Sequence, residues 1–133
     1  MTQEDKELLL KDLCARLPYG VKFVRESWNY EWDQEMSVVE ILEDIDKDGY
    51  INHTKVYTVE EIKPYLRPME SMTEDEKHEC KDYLRSIEGA LIGNIGRTIW
   101  LINWLNAHHF DYRGLIDKGL AIAVTKENNP YKE

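Results

Sequence analysis

Met36-Ser37-Val38-Val39-Glu40-Ile41-Leu42-Glu43-Asp44-Ile45 is the stretch whose conformation decides the fold. Its Val38, Val39, Ile41 and Ile45 favour a strand, whereas Ser37 with Glu40 three residues later fits the capping box of a helix. The segment is short and rich in β-branched residues, so the strand is the better reading. Asp46-Lys47-Asp48-Gly49 then supplies a turn, and Tyr50 to Tyr57 is expected to return as the partner strand. Upstream, Val21 to Glu26 reads as another short strand. Together these segments predict a small, mainly antiparallel sheet over about 21–57.

Outward from that sheet the pattern turns helical. Gln3 to Arg16 is expected to be a helix, because Leu9, Leu10, Leu13, Cys14 and Leu17 fall at helical spacing with charges between them. Pro18 stops it by pushing Leu17 out of the helical region, and Tyr19-Gly20 turns the chain. Thr58 with Glu61 forms a capping-box pattern, limited to about one helical turn by Pro64 and Pro68. Thr73 with Glu76 repeats the pattern before a helix to about Ile87, which places Cys80, Tyr83, Leu84 and Ile87 on one face.

Gly89, Gly93 and Gly96 break the chain again. Thr98 to about Ala107 is apolar nearly all round (Ile99, Trp100, Leu101, Ile102, Trp104, Leu105), the character of a buried central helix. A short last helix is expected from Tyr112 to Lys118, ending at Gly119 in a left-handed cap, with a frayed tail from Lys126. No repeat or linker divides residues 1–133. The expected fold class is therefore α+β, a single domain with several helices packed on one face of the sheet.

Composition narrows the function. A chain of 133 residues with 42% apolar content has room for one core and is not expected to be disordered. No run approaches the roughly 18 apolar residues of a membrane span. The acidic, helical opening MTQEDKELLL is unlike a signal peptide, which points to the cytoplasm. Cys14 and Cys80 lack CxxC spacing and are read as reduced, packed thiols. The net charge is −9, and between Glu26 and Asp48 nine acids stand against the single base Lys47, a net of −8. Such a stretch repels phosphate backbones, so nucleic acid is not an expected partner. It is either a solvated face or a docking patch for a basic protein.

Three local patterns could carry chemistry. Asp44-Ile45-Asp46-Lys47-Asp48-Gly49-Tyr50-Ile51 fits the opening of an EF-hand calcium loop, with Asp44, Asp46 and Asp48 as ligands and Gly49 at the sharp turn. The twelfth place, however, is Lys55, an ammonium where a bidentate carboxylate belongs. The alternative is a hairpin turn with solvated acids. Leu91-Ile92-Gly93-Asn94-Ile95-Gly96-Arg97 matches the GxxG loop that grips nucleotide phosphates, yet only Arg97 is basic and a Gly-rich interhelical turn explains it as well.

The third pattern is His108-His109-Phe110-Asp111-Tyr112-Arg113. Its two imidazoles and carboxylate could hold a metal or act as an acid–base pair, with Arg113 beside them. Adjacent histidines generally diverge, so the competing expectation is one histidine on a backbone carbonyl and Asp111 as a cap or paired with Arg113. Other enzyme signatures are missing: no GxSxG, Walker loop or HExxH, and His78 and Cys80 lie two apart on one helix, facing different ways. No cofactor is expected.

Trp28, Tyr30 and Trp32 alternate, so in an extended segment they share a face, interleaved with Glu31 and Asp33. Core packing is the usual fate of tryptophan, but acids on the rim suit recognition of a protein partner.

Two stretches carry a resemblance. Glu61-Ile62-Lys63-Pro64-Tyr65-Leu66-Arg67-Pro68-Met69, continuing through Ser71-Met72-Thr73, is one. Trp104-Leu105-Asn106-Ala107-His108-His109-Phe110-Asp111-Tyr112-Arg113-Gly114-Leu115-Ile116, with Gly119-Leu120-Ala121, is the other. Covering under a quarter of the chain, they resemble a group of small uncharacterised proteins encoded by gut bacteria, often in prophage or mobile regions. No activity attaches to that group, and the resemblance implies only a phage or mobile-element context. The leading expectation is thus a non-enzymatic accessory or regulatory protein acting through protein–protein interaction, with the His108/His109/Asp111 enzyme and the 44–55 calcium loop as alternatives. The sequence leaves the partner and the oligomeric state open.

Overall fold

Thr2 Oγ1 accepts the backbone N–H of Asp5 at 3.0 Å and starts helix α1, Gln3–Arg16, with the bounds the apolar stripe implies. Leu17–Tyr19 tightens into a 3-10 turn, and Gly20 takes the left-handed conformation (φ +69°) that reverses the chain. The computed structural model describes residues 1–29, 32–54, 57–88 and 95–132, with the backbone alone at 27–29, 35, 82–88 and 95–98.

The decisive segment is a strand. β1 (Lys22–Asn29) and β2 (Gln34–Ile41) pair antiparallel, in a register that sets Phe23 opposite Glu40 and Val24 opposite Val39. The expected partner was the wrong one, since β2 folds back on β1 and not on 50–57. Asn52 (φ +52°) and His53 (φ +59°) sit in the left-handed region, which no strand tolerates, and the described residues of 50–57 make only isolated bridges, Ile45 to Ile51 and Tyr50 to Thr58. The Asn52 amide instead closes the end of β2. It accepts the N–H groups of Glu43 (2.7 Å) and Asp44 (3.1 Å) and donates to the Ile41 carbonyl (2.8 Å).

The sheet also reaches beyond 57. Thr58 opens only a three-residue 3-10 turn, Val59–Glu61, without a side-chain cap, and Ile62–Leu66 is strand β3. Pro64 is the reason: it disfavours helix at Lys63 and sits extended opposite Phe23 of β1. β3 in turn pairs parallel with β4 (Ile122–Ala123), which gives the order β2-β1-β3-β4.

Helix α2, Glu74–Glu88, begins with the expected capping box. Thr73 Oγ1 accepts from the Glu76 N–H (3.2 Å), and Glu76 Oε1 accepts from the Thr73 N–H (3.0 Å). Helix α3, Ile95–Ala107, buries Leu101, Trp104 and Leu105 but leaves Ile99 and Ile102 exposed, a correction to the expectation of all-round burial. Residues 112–118 form turns, not the expected helix. Asp111 caps them through the Leu115 and Ile116 N–H groups, both at 2.9 Å, and Gly119 does take positive φ. The tail is anchored, not frayed. The Tyr131 hydroxyl accepts from the Lys22 N–H (2.9 Å) and donates to the Tyr65 carbonyl (2.7 Å).

Two clusters make the interior. Leu9 and Leu13 of α1 join Val21, Phe23, Leu42, Ile51, Val59, Ile62, Leu66, Leu115, Leu120 and Ala121 beside the sheet. Cys80, Leu101, Trp104, Leu105 and Phe110 form the second, between α2 and α3. Each fully buried leucine here contributes on the order of 2 kcal/mol of transfer free energy. Cys80 is buried as expected, whereas Cys14 is exposed. No helix among the described residues is long and apolar enough to cross a membrane.

Candidate functional site

The two stretches that carry the resemblance lie side by side. The Arg67 N–H donates to the His109 carbonyl (2.7 Å), the Asp111 N–H donates to the Arg67 carbonyl (2.9 Å), and Arg67 and Phe110 form a parallel bridge. The Arg67 guanidinium rests 4.1 Å from the Phe110 ring centroid and is gripped by Glu76 at 2.8 and 2.6 Å. Arg67 holds the Glu76 carboxyl down at about 2.

On the α1 side, Arg16 is fully buried. It donates to Asp12 (2.7 and 3.1 Å) and to the Phe110 carbonyl (2.6 Å), and Arg113 Nε lies 3.2 Å from the same Asp12. Two guanidiniums thus share one carboxylate that is itself wholly buried. Arg16 spans α1 and the segment after α3, so the network fixes the position of His108 to Arg113. Sequence reasoning missed it, although the i,i+4 spacing of Asp12 and Arg16 was a visible signal.

The two imidazoles diverge. His108 Nδ1 lies 2.9 Å from the Trp104 carbonyl, and its ring stacks on Trp104 at 4.1 Å. His109, at φ +64°, stacks instead on Tyr131 at 3.9 Å and 9°. Burial, reinforced by the neighbouring Arg16, pushes the His109 pKa down to about 4, so this ring is neutral near pH 7. Asp111 is engaged in capping, and Arg113 pairs with Asp12 and reaches the Tyr112 hydroxyl at 3.3 Å. Asp111 lines a cleft of about 490 Å³ with Glu70, Tyr112 and Asp117, but neither histidine does. Among the described residues no three His, Cys, Asp or Glu side chains are grouped to hold a metal ion.

The calcium-like segment is a turn. Asp46 Oδ1 accepts from the Asp48 (2.9 Å) and Tyr50 (3.0 Å) N–H groups, and Asp44 sits 3.4 Å from His53. Lys55 lies outside the described residues. So do Gly93 and Asn94 of the GxxG pattern, whereas Gly96 falls in the first turn of α3.

What remains is the β1–β2 hairpin. On its inner face Arg25 pairs with Glu40 (2.9 Å), the Tyr57 hydroxyl donates to Glu40 (2.9 Å), and Arg25 lies 4.8 Å from the Tyr57 centroid. Arg25 lowers the Glu40 carboxyl pKa accordingly. That face is occupied, and Phe23 continues it into the core. Register places Val24, Val39 and Ile41 on the opposite face, where Val39 is 47% and Ile41 48% exposed. Trp32, in the connecting turn, is 61% exposed; Glu26 on β1, Asp33 beside Trp32, Glu43 just past β2, and Asp46 and Asp48 in the following turn are exposed as well. Among the expected partner-binding residues, Trp28 lies on β1 and Trp32 and Asp33 in the turn, while Tyr30 and Glu31 lie outside the described residues. Val39 and Ile41 were missed as surface residues, although their period-two spacing set them on one face. No family model, curated protein or solved structure matches the chain.

Proposed function

We propose that this chain is a non-enzymatic accessory or regulatory protein, of phage or mobile-element context, that binds a basic protein through the outer face of the β1–β2 hairpin. One observation carries the reading: Val39 and Ile41 are exposed on the outer face of β2 and Trp32 is exposed at the turn, in a hairpin whose Glu26, Asp33 and Glu43 are also exposed. Apolar centres with polar rims are what protein interfaces are made of. The net charge of −8 between Glu26 and Asp48 disfavours nucleic acid and selects a cationic partner. Of the polar side chains at 108–113, by contrast, His108, Asp111, Tyr112 and Arg113 are held in internal hydrogen bonds or ion pairs, while His109 stacks on Tyr131 and its Nδ1 has no hydrogen-bond partner among the described residues.

The test is capture from a native lysate by the wild type and by a Val39→Asp/Ile41→Asp variant, with Trp32→Ala alongside. A basic protein retained by the wild type and lost from the folded variants supports the reading. Retention of every captured protein by folded variants refutes it.

A further inference from the structure

Resting on that reading, we infer that the partner docks as an added β-strand: an extended, lysine- or arginine-flanked segment hydrogen-bonds to the outer edge of β2, which no strand among the described residues pairs with. β2 is the outermost strand in the order β2-β1-β3-β4 and is eight residues long, whereas the opposite edge, β4, has two.

The orientation of the edge groups follows from one bond. The Leu42 N–H donates to the Val21 carbonyl, so Leu42 turns its amide towards β1. Counting back by twos along the antiparallel register, Glu40, Val38 and Met36 do the same, and residues 35, 37, 39 and 41 direct N–H and C=O away from β1. The Ile41 carbonyl bears this out, because it accepts from the Asn52 side chain outside the ladder. Among the described residues, no backbone bond from elsewhere engages Ser37 or Val39. These groups are the template that strand addition uses.

Two of the usual edge protections are missing, although Glu40 is an inward-facing charge neutralised by Arg25. Gln34-Glu35-Met36-Ser37-Val38-Val39-Glu40-Ile41 has no proline, glycine or lysine. Residues 35–39 present about 17 Å of extended backbone, enough for a partner segment of about five residues. Such a segment would set alternate side chains against Ser37 and Val39 on the outer face. Asp33 lies at one end of β2 and Glu43 and Asp44 at the other, so cations flanking the added strand meet acids at both ends. The same acids oppose pairing of β2 with β2 of a second copy, which would bring two net −8 stretches together.

The test uses three synthetic peptides titrated into the full chain by calorimetry at low and high salt: Lys-Val-Thr-Val-Thr-Val-Lys, its fully N-methylated form, and the form with glutamate ends. The unmodified peptide should bind, at least tenfold more tightly than either comparator, weaken several-fold in high salt, and slow amide exchange at Ser37 and Val39. Val39→Pro should lose this binding, because it removes a donor that faces the edge and not the β1 ladder. Should that variant misfold, amide exchange in the wild type still decides. Equal binding of the N-methylated peptide, equal binding by folded Val39→Pro, or no binding of the unmodified peptide would overturn strand addition. None of these touches the outer-face reading, which the Val39→Asp/Ile41→Asp capture decides separately. Equal binding of the glutamate-ended peptide would overturn the basic partner, and dimerisation with protection of Ser37 and Val39 in the absence of peptide would overturn it in favour of a second copy.

Discussion

Acidification from pH 8 to pH 5 should destabilise this protein through His109. The ring titrates near 6.5 in an unfolded chain and at about 4 in the fold, where burial and the adjacent Arg16 resist its charging, with His108, Arg67 and Lys22 adding to the effect. Above pH 7 both states carry a neutral ring and the shift changes nothing. Below 6.5 the unfolded chain gains a proton that the native ring refuses, so stability falls, and the loss levels off below pH 4. Linkage across that window gives about 2 kcal/mol at pH 5, or about 1 to 1.5 kcal/mol once the ring's partial solvation is allowed for. Urea unfolding of the wild type against His109→Asn measures it. Asparagine tolerates the φ of +64°, does not titrate, and forfeits the Tyr131 stack at a pH-independent cost of about 1 kcal/mol. The wild type should lose about 1 to 1.5 kcal/mol more than the variant between pH 8 and pH 5. Equal losses would show that the ring charges freely in the fold and refute the burial argument.

Removing Asp12 should be among the most damaging single changes. Asp12→Ala strands buried Arg16 without a counter-charge and should cost about 3 to 5 kcal/mol in denaturant unfolding, while Asp12→Leu with Arg16→Met should cost less. Glu76→Gln keeps an oxygen for the Thr73 N–H but loses the charged, two-pronged Arg67 grip, for about 1 to 2 kcal/mol at pH 7. Because the Glu76 pKa is lowered to about 2, that contribution is present above about pH 4.5 and lost as pH falls towards 2, so the two proteins should converge in acid. Tyr131→Phe removes bonds to Lys22 and Tyr65 and should lower stability by about 1 to 2 kcal/mol, measured by the urea midpoint, with faster amide exchange at Lys22. Asp46→Ala should cost about 1 kcal/mol through its two backbone bonds, and millimolar calcium should leave the melting temperature of the wild type unchanged.

Local signals were legible and distant ones were not. α1 was legible because its stripe and its turn at Gly20 are within reach of the helix, although Pro18 does not push Leu17 out of the helical region: Leu17 keeps φ −51° and ψ −43°, and the chain leaves α1 through the Leu17–Tyr19 turn. The Thr73–Glu76 box and the β-branched run of β2 were read for the same reason. The partner of β2 was misassigned because Asp46 to Gly49 is a genuine turn, whereas the β1–β2 connection carries no glycine and bends at Asp33 with φ +51°. In sequence Pro64 reads as the limit of a helix, yet it lies inside β3, a strand recognisable only once β1 and β4 flank it. Tyr131 looked like part of a frayed tail because its partners, Lys22, Tyr65 and His109, are far away in sequence. At the candidate surface the acidity and Trp32 were visible, but the exposure of Val39 and Ile41 depended on which strand covered which face.

Polar groups divide between two duties in this chain, and the division follows position. Where the segments at 67 and at 108–113 meet, several are consumed internally: Arg67 on Glu76, Asp111 on two amides, His108 on the Trp104 carbonyl, Arg113 on Asp12. A motif as specific in its letters as His108-His109-Phe110-Asp111-Tyr112-Arg113 can therefore be specific for architecture, since each side chain answers a particular backbone group, charge or ring. Glu26, Asp33, Glu43 and Asp48 are exposed, as are Val39 and Ile41 on the face of the hairpin opposite Phe23. An acid held in an internal bond has little left to offer a partner, whereas an exposed acid beside desolvatable apolar surface has both attraction and area to offer. Binding is expected where that surplus lies, on the hairpin and not at the paired histidines.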